Sequence, residues 1–484
     1  MREDDATAVA SPRTLNANVR VTLVFVFMLS ASMSLYSTTT LASYIFLVTG
    51  SNAKVGFATG IQGVTNLALA IPASILGDRA RRTSVLRGAA GLGLVASAFM
   101  AWCITWVAAA RRSALYLSLC ASAVLWGAFM GGHTSTLEAI FADSVASGAR
   151  SKLYVWKASL RTLGNVVGPL VSIVVFWRLG NDWEMSELKL VILGGMGLFV
   201  VPFGCLLLLS DEKTLGLASE SLLEQRADAT ADDGDDGEPD AADAARCGCL
   251  GRLRHRHIPA VVACSDLISA MASGMTIKFF PLYFWRRLHL SPIAVNAVVM
   301  AGPMGISVLA IAMQKLSKRI GRVQTTLLTK FIGVSLLVAI ALLDDALYFW
   351  IIPLYLVRTW VMNCTSGLTK SILNDYVSKK RRAKWNGLES VNIFSWSGSA
   401  ALGGVLIDTI GYRGTFLITA AMQGTSALLL STITPLVHME RSTPKTVAGP
   451  ADAEAPPTPA GYALVGDLAD DEAPADDEKK REPA

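Results

Sequence analysis

The chain has 484 residues, of which 52% are apolar before glycine is counted and 17% are charged, with a formal net charge of +5; its mean hydropathy is +0.44. A water-soluble globular chain carries about 25% charged residues, so this balance excludes an ordinary soluble enzyme and points to a membrane protein of many spans. Acids gather in 211–243 and in the C-terminal tail while bases sit in short loops, a pattern of membrane topology that excludes a nucleic-acid partner.

A spanning helix needs about 20 mostly apolar residues. Twelve such stretches are predicted, at 20–47, 54–76, 83–110, 114–142, 152–177, 188–210, 257–284, 292–316, 323–343, 346–375, 385–409 and 412–436. Residues 1–19 form a polar tail with no short apolar core and no small-residue cleavage site, so the first span is expected to act as an uncleaved anchor. Two groups of six spans, 20–210 and 257–437, flank the segment 211–256. That segment contains DATADDGDDGEPDAADAA, too acidic and too poor in large apolar groups to pack a core, and 438–484 has the same character; both are expected to be disordered.

Loop charge sets the orientation. The loops after spans two, four, eight and ten, with their edges, hold sixteen Lys and Arg residues, and the six loops on the other side hold eight. Even-numbered spans are therefore expected to end in the cytoplasm, with both termini and the long central segment there. The protein is expected to be an integral multi-pass protein of the plasma membrane or an organelle membrane. The seven cysteines are scattered and form no extracellular disulfide framework.

The two groups of six repeat one another. The pattern D-x-V-x4-R-x-K occurs at Asp143, Val145, Arg150 and Lys152, and again 232 residues later at Asp375, Val377, Arg382 and Lys384. Inside the repeat two charges are exchanged: Glu138 falls on Lys370, and Lys157 falls on Glu389. Parallel repeats related by an axis along the membrane normal build a large class of transporters.

The loop after span two reads Ser74-Ile-Leu76-Gly-Asp78-Arg79-Ala-Arg81-Arg82. It resembles the major facilitator superfamily signature G-x-L-a-D-R-x-G-R-R. Leu76, Asp78, Arg79 and Arg82 match, while Ser74 and Arg81 stand in place of glycines. The counterpart after span eight keeps Leu316, Arg319, Gly321 and Arg322 and has Lys318 for the aspartate. The resemblance covers about 20–437 and implies an all-α membrane protein of twelve transmembrane helices, two six-helix halves related by a pseudo-two-fold axis. It also implies alternating access, with Asp78 docked between helix ends to stabilise an outward-open state. A carboxylate at a helix N-terminus can bias such an equilibrium. In span five, Gly164-Asn-Val-Val-Gly168-Pro169-Leu-Val-Ser172 looks like the family's antiporter motif G-x-x-x-G-P-x-x-G, with Ser172 replacing the last glycine. This is the link to a drug–proton antiporter subgroup; the alternative is close helix packing alone. The family's arginine in span four is absent, Trp126 or Gly127 standing there, and Arg358 occupies the equivalent place in span ten.

Ionisable groups inside a membrane are costly and are functional candidates by default. Glu138 and Lys370 lie about 7.5 Å inside their helix ends, with Lys157 and Glu389 at similar depth on the following helices. Each acid could pair within its half, or across the halves when the cytoplasmic side closes; the alternative is charges that snorkel to water. Arg358, about 18 Å from Lys370 along the helix, could bind an anionic group or pair with Asp266 of span seven, the best single proton carrier. His133 suits proton traffic or packing; Asn363 is a cavity polar group; Lys278 reads as a snorkelling lysine at the outer end of span seven. Cys247, Cys249, His255 and His257 are spaced too tightly for a usual zinc site, so no metal is expected and that segment reads as a basic contact to anionic lipid.

The expected protein is a secondary active transporter of a small organic solute, proton-coupled and exporting. It is expected to be a monomer without cofactor and without enzymatic motifs. The alternatives are a uniporter or importer of an organic anion, and a non-transporting membrane sensor or scaffold.

Overall fold

The computed structural model describes residues 15–37, 39–79, 81–107, 112–145, 150–215, 245–246, 252–253, 257–375 and 388–437. The tail from 438 and most of the linker, with Cys247, Cys249 and His255, lie outside them. The start of the linker, 211–215, expected to be disordered, is described, with a helical turn at Asp211–Lys213 whose Asp211 accepts from Thr83. The described chain is almost entirely helical. The first half contains α1 (Ala17–Tyr36), α2 (Thr40–Thr49), α3 (Asn52–Arg79), α4 (Arg82–Thr105), α5 (Arg112–Asp143), α6 (Arg150–Leu179), α7 (Met185–Leu198) and α8 (Val200–Leu208). The second contains α9 (Ile258–Ile277), α10 (Phe280–Arg286), α11 (Pro292–Ile320), α12 (Arg322–Leu342), α13 (Tyr348–Asn363), α14 (Ser366–Asp375) and α15 (Leu388–Ser431). A two-residue antiparallel pairing, Ala245–Arg246 with Arg252–Leu253, precedes the second half.

Ten helical stretches among the described residues are long and apolar enough to cross a membrane. Two details reconcile this with twelve spans. The tenth span is divided between α13 and α14 at Cys364–Thr365, so neither piece is long enough alone. The last stretch is two spans in one: α15 has 44 residues, about 66 Å if straight, twice the hydrocarbon thickness of about 30 Å. The chain breaks at Gly411, whose φ of 79° is a conformation that glycine adopts without Cβ strain. Contacts on either side run in opposite directions. Ala400 and Asp408 meet Gly56 and Asn52, whereas Phe416 and Ser426 meet Phe280 and Ser265. The chain therefore turns back at Gly411.

The first and seventh spans are broken at matching places, Ser37–Thr39 and Lys278–Phe279. Each break leaves a short helix beyond it, α2 of 10 residues and α10 of 7, about 15 and 10 Å long. The breaks thus lie about 15 and 10 Å short of the far ends of these spans.

Aromatic side chains fill the interior of both halves. Trp126, Phe129, Phe199 and Phe203 are at most 1% exposed and pack on one another, with Tyr36 against Trp126 and Phe199, and Phe280, Tyr283 and Phe416 form a counterpart in the second half. Outward-facing apolar residues are numerous, as a lipid-facing surface requires. Trp106, Trp177, Phe349 and Trp350 are 60–74% exposed at helix ends on one side of the bundle, placed as an aromatic belt at a membrane interface.

Candidate functional site

The two ends of the bundle differ. One end, here the terminal end, holds Asn16, Asp143, Asp211 and Val437; the other, the far end, holds Gly50, Gly180, His289, Asp344 and Gly411.

At the far end the halves are joined. Asp408 of α15 places its carboxylate on the first turn of α3. Oδ1 accepts from the Asn52 backbone N–H at 3.1 Å and from its Nδ2 at 2.8 Å. Oδ2 accepts from Ser51 Oγ at 2.7 Å and the Ala53 backbone N–H at 2.9 Å. This is an N-terminal helix cap supplied by the opposite half, favoured by the orphan N–H groups and the helix dipole. Tyr412 adds a hydrogen bond from its hydroxyl to Asn52 Oδ1 at 3.1 Å. A second junction joins the loops after spans five and seven. Trp183 Nε1 donates to the Leu290 carbonyl at 2.9 Å, Asn181 Oδ1 accepts from the Ile293 N–H at 3.1 Å, and the Trp183 and Trp285 rings stack at 4.8 Å.

At the terminal end the polar contacts given by the described residues stay within one half. Arg82 pairs with Asp143. Thr83, in the first turn of α4, donates its hydroxyl to Asp211 at 2.7 Å. Asn18 bridges Ser144 and Ser210. These contacts tie spans one, three, four and six into one unit. Lys157 reaches Glu138 at 2.5 Å and lies over the Phe141 ring, so the acid and base pair between adjacent helices of the first half. Lys370, aligned with Glu138 in the repeat, is exposed. Arg79 and Arg319 are exposed too, while Arg322 is half-buried beside Gly321. The side chains of Asp78, Arg150, Asp375 and Glu389, and the whole of Arg382, lie outside the described residues.

Two buried polar clusters sit within the second half. In the first, Lys330 of α12, 7% exposed, donates to Ser265 Oγ and Ser426 Oγ, both at 3.1 Å, and faces Asp266 Oδ1 at 4.0 Å. Asp266 keeps a third of its side chain exposed. In the second, Arg358, 3% exposed, donates to Gln423 Oε1 at 3.3 Å and lies over the Phe280 ring, while Gln423 donates to Ser273 Oγ at 3.1 Å. Asp266 and Arg358 therefore have separate partners, and the pairing between them that the sequence allows is not formed. Arg358 thus braces spans seven, ten and twelve through Gln423 and Phe280, while its Nε has no hydrogen-bond partner among the described residues.

The other candidates separate clearly. His133 is 3% exposed; its Nδ1 is 2.8 Å from the Phe129 carbonyl and its ring stacks on Phe129, the environment of a packing histidine. Asn363 donates to the Thr359 carbonyl of its own helix at 2.8 Å. Gly164 and Gly168 lie against α1, where a Cβ would collide with the Phe27 carbonyl and with Ser34 and Leu35; Ser34 Oγ also donates to the Gly164 carbonyl at 3.1 Å. The stretch through Pro169 is thus a close-packed seam between spans one and five. Lys278 is not at the outer lip. It sits at the break between α9 and α10 and donates to the Ser37 carbonyl of the first half at 3.4 Å.

Sequence reasoning missed Lys330, Asp408 and Gln423. Lys330 had a signal, a lone cation eight positions into an apolar helix. Asp408 had almost none, because its partners are more than 350 residues away.

Comparison with known proteins agrees with this architecture. The family model of the Major Facilitator Superfamily matches residues 22–254 and 262–470. A bacterial homologue of the iron transporter ferroportin in an inward-facing state is 12% identical, with 87% of this chain and 99% of that one covered and a TM-score of 0.61. A D-xylose–proton symporter is 14% identical over 85% of this chain and 96% of its own, with a TM-score of 0.62. A bacterial homologue of the human lysosomal transporter Spinster is 15% identical over 88% and 98%, with a TM-score of 0.60. No curated protein matches the sequence. With its two matched halves, its helical bundle and these neighbours, the chain belongs to the Major Facilitator Superfamily.

Proposed function

We propose that the chain is a proton-coupled secondary transporter that moves a small organic solute by alternating access, held here with its cytoplasmic end open. The observation that carries this reading is the asymmetry of the two ends. Among the described residues, the hydrogen bonds found between halves gather at the far end, and those found at the terminal end, such as Arg82 with Asp143, are within a half. The terminal end is taken as cytoplasmic because its loops hold the excess of basic residues.

The proton site in this reading is Asp266. Its carboxylate is partly exposed, and its counter-charge, Lys330, has two serine hydroxyls already in place. When Asp266 takes up a proton, Lys330 keeps Ser265 and Ser426, so the ion pair can be dissolved without stranding the ammonium. An ion pair at the junction of spans seven and nine can therefore alternate at low cost. The exchanged charges at the terminal end supply the matching gate. Glu138, freed from Lys157, meets Lys370 when that end closes. The seam at Gly164–Pro169 is accounted for by packing against α1, so it lends no support to an antiporter or exporter assignment.

The test is a counterflow screen of solutes in proteoliposomes, run with and without a pH gradient. Wild-type protein should exchange at least one solute, with net accumulation driven by the gradient. Asp266→Asn should keep exchange and lose accumulation. Accumulation unaffected by Asp266→Asn would remove Asp266 from the coupling, and absence of exchange for every solute would remove the transport reading.

A further inference from the structure

A small cavity of about 30 Å³ in the first half, closed by one side chain of the second, carries features that point to the charge of its ligand. Its lining comes from spans one to four of the first half, including Tyr36, Ser37, Gln62 and Trp126, and from a single side chain of the second half, Lys278. The helix breaks of spans one and seven meet there, at the hydrogen bond from Lys278 to the Ser37 carbonyl. Interrupted helices of this kind are where transporters hold charged ligands, because unwound backbone can face a cavity.

Two groups in this cavity lack what they need. The first is the Lys278 ammonium. Among the described residues no carboxylate lies within ion-pair distance of it. Its contacts are the Ser37 carbonyl, which is the C-terminal cap of α1, and the face of Trp396 at 5.5 Å. A carbonyl and an aromatic face recover only part of the solvation a cation loses inside a membrane. The second is the Trp126 indole. Trp126 is 1% exposed, and its Nε1 N–H has no hydrogen-bond partner among the described residues. A buried donor left unmade costs about 1–3 kcal/mol. A cation without a counter-ion and a donor without an acceptor share one requirement, an acceptor that carries negative charge.

We propose that this cavity binds a monoanion of the size of formate or acetate, with its carboxylate on Lys278 and within reach of the Trp126 N–H. The assignment rests on the cavity being the solute site of the transport cycle. It also gives Lys278 a part in that cycle, since an anion on Lys278 touches both halves at once and its binding energy bears on their relative arrangement. Neither Arg358 nor Lys330 lines this cavity, and Lys330 is already engaged by Ser265, Ser426 and Asp266.

The experiment measures binding rather than transport, so its failure and that of the transport reading are distinct. Formate and acetate are each titrated against the purified full-length protein by isothermal calorimetry, beside formamide and acetamide. Binding of at least one carboxylate in preference to its amide is expected, with Lys278→Gln weakening it about ten- to hundredfold, the loss of one charge-assisted contact, and Lys278→Arg retaining most of it. A lysine that only ties span seven to Ser37 would leave the discrimination between carboxylate and amide intact in Lys278→Gln, and that result overturns the proposal. If Lys278→Gln cannot be purified folded, the comparison of carboxylate with amide on the wild-type protein decides, and equal or absent binding overturns the proposal.

Discussion

The far end and the terminal end of this bundle are made from the same repeat, yet they are fastened differently. At the far end one carboxylate, Asp408, takes four hydrogen bonds from the opposite half, and two loops lock through Trp183 and Asn181. At the terminal end the charged groups serve their own half, Arg82 with Asp143 and Lys157 with Glu138. The difference fits halves that move as units, with a small set of polar contacts between them exchanged in the proposed cycle. Such a set suits a two-state equilibrium. Its members lie near helix ends, where water can take over their hydrogen bonds when the halves part, so neither state strands a buried charge.

The comparison can be broken most severely at Lys330. Lys330→Met removes the cation nearest Asp266, which also feels Lys370, and a donor shared by two serines that stay bonded to each other, a cost of at most about 3–5 kcal/mol because Asp266 is partly exposed. A large fall in thermal stability is expected, read from the unfolding midpoint of the detergent-solubilised protein, and adding Asp266→Asn should restore much of it. If the single variant is as stable as wild type, the cluster is not a buried pair. Next comes the far-end cap. Asp408→Ala removes four hydrogen bonds to a carboxylate, about 2–5 kcal/mol for a truncated charged partner. The far end should open, and a cysteine placed at Lys54 should become more reactive to a membrane-impermeant maleimide. Unchanged labelling would show that the aromatic and loop contacts hold that end alone.

Smaller effects sharpen the other end. Glu138→Lys should slow solute exchange several-fold, and adding Lys370→Glu should recover part of the loss. Glu138 is half-exposed, and exposed pairs contribute about 0–1 kcal/mol, so stability should barely move. If the double variant is as slow as the product of the singles, the cross-half contact does not form. The smallest effect belongs to His133→Phe, a swap within an aromatic stack, which should change exchange less than about twofold and cost under 1.5 kcal/mol. A collapse of the pH dependence of transport in that variant would give His133 a proton-carrying part that its packing does not suggest.

How much of this was legible in the chain follows from the range of each interaction. The spans, the two halves and the family follow from hydropathy and a loop motif, which are local in sequence. Arg358 and Asp266 are legible as buried charges because a lone ionisable group in an apolar run is conspicuous. Their partners are not, since Gln423 and Lys330 lie 65 and 64 positions away and packing alone decides which side chains face each other. Lys278 reads as interfacial when span seven is taken as one continuous helix. The break at Lys278–Phe279 turns it into the cavity, and its one local signal is Pro281, in the first turn of α10. Asp408 reads as a loop charge near a turn, and its role as a cap depends on a helix start in the other half.

The central claim is that the two ends open in alternation, and spin-label distances test it most directly. In a background with the seven native cysteines replaced, one label pair at Lys54 and Arg413 spans the far end and another at Arg79 and Arg319 spans the terminal end. The wild-type protein should show a short far-end distance and a long terminal-end distance. Asp408→Ala should lengthen the first and shorten the second together. Two distances that stay fixed, or that lengthen together, would contradict alternating access by these halves.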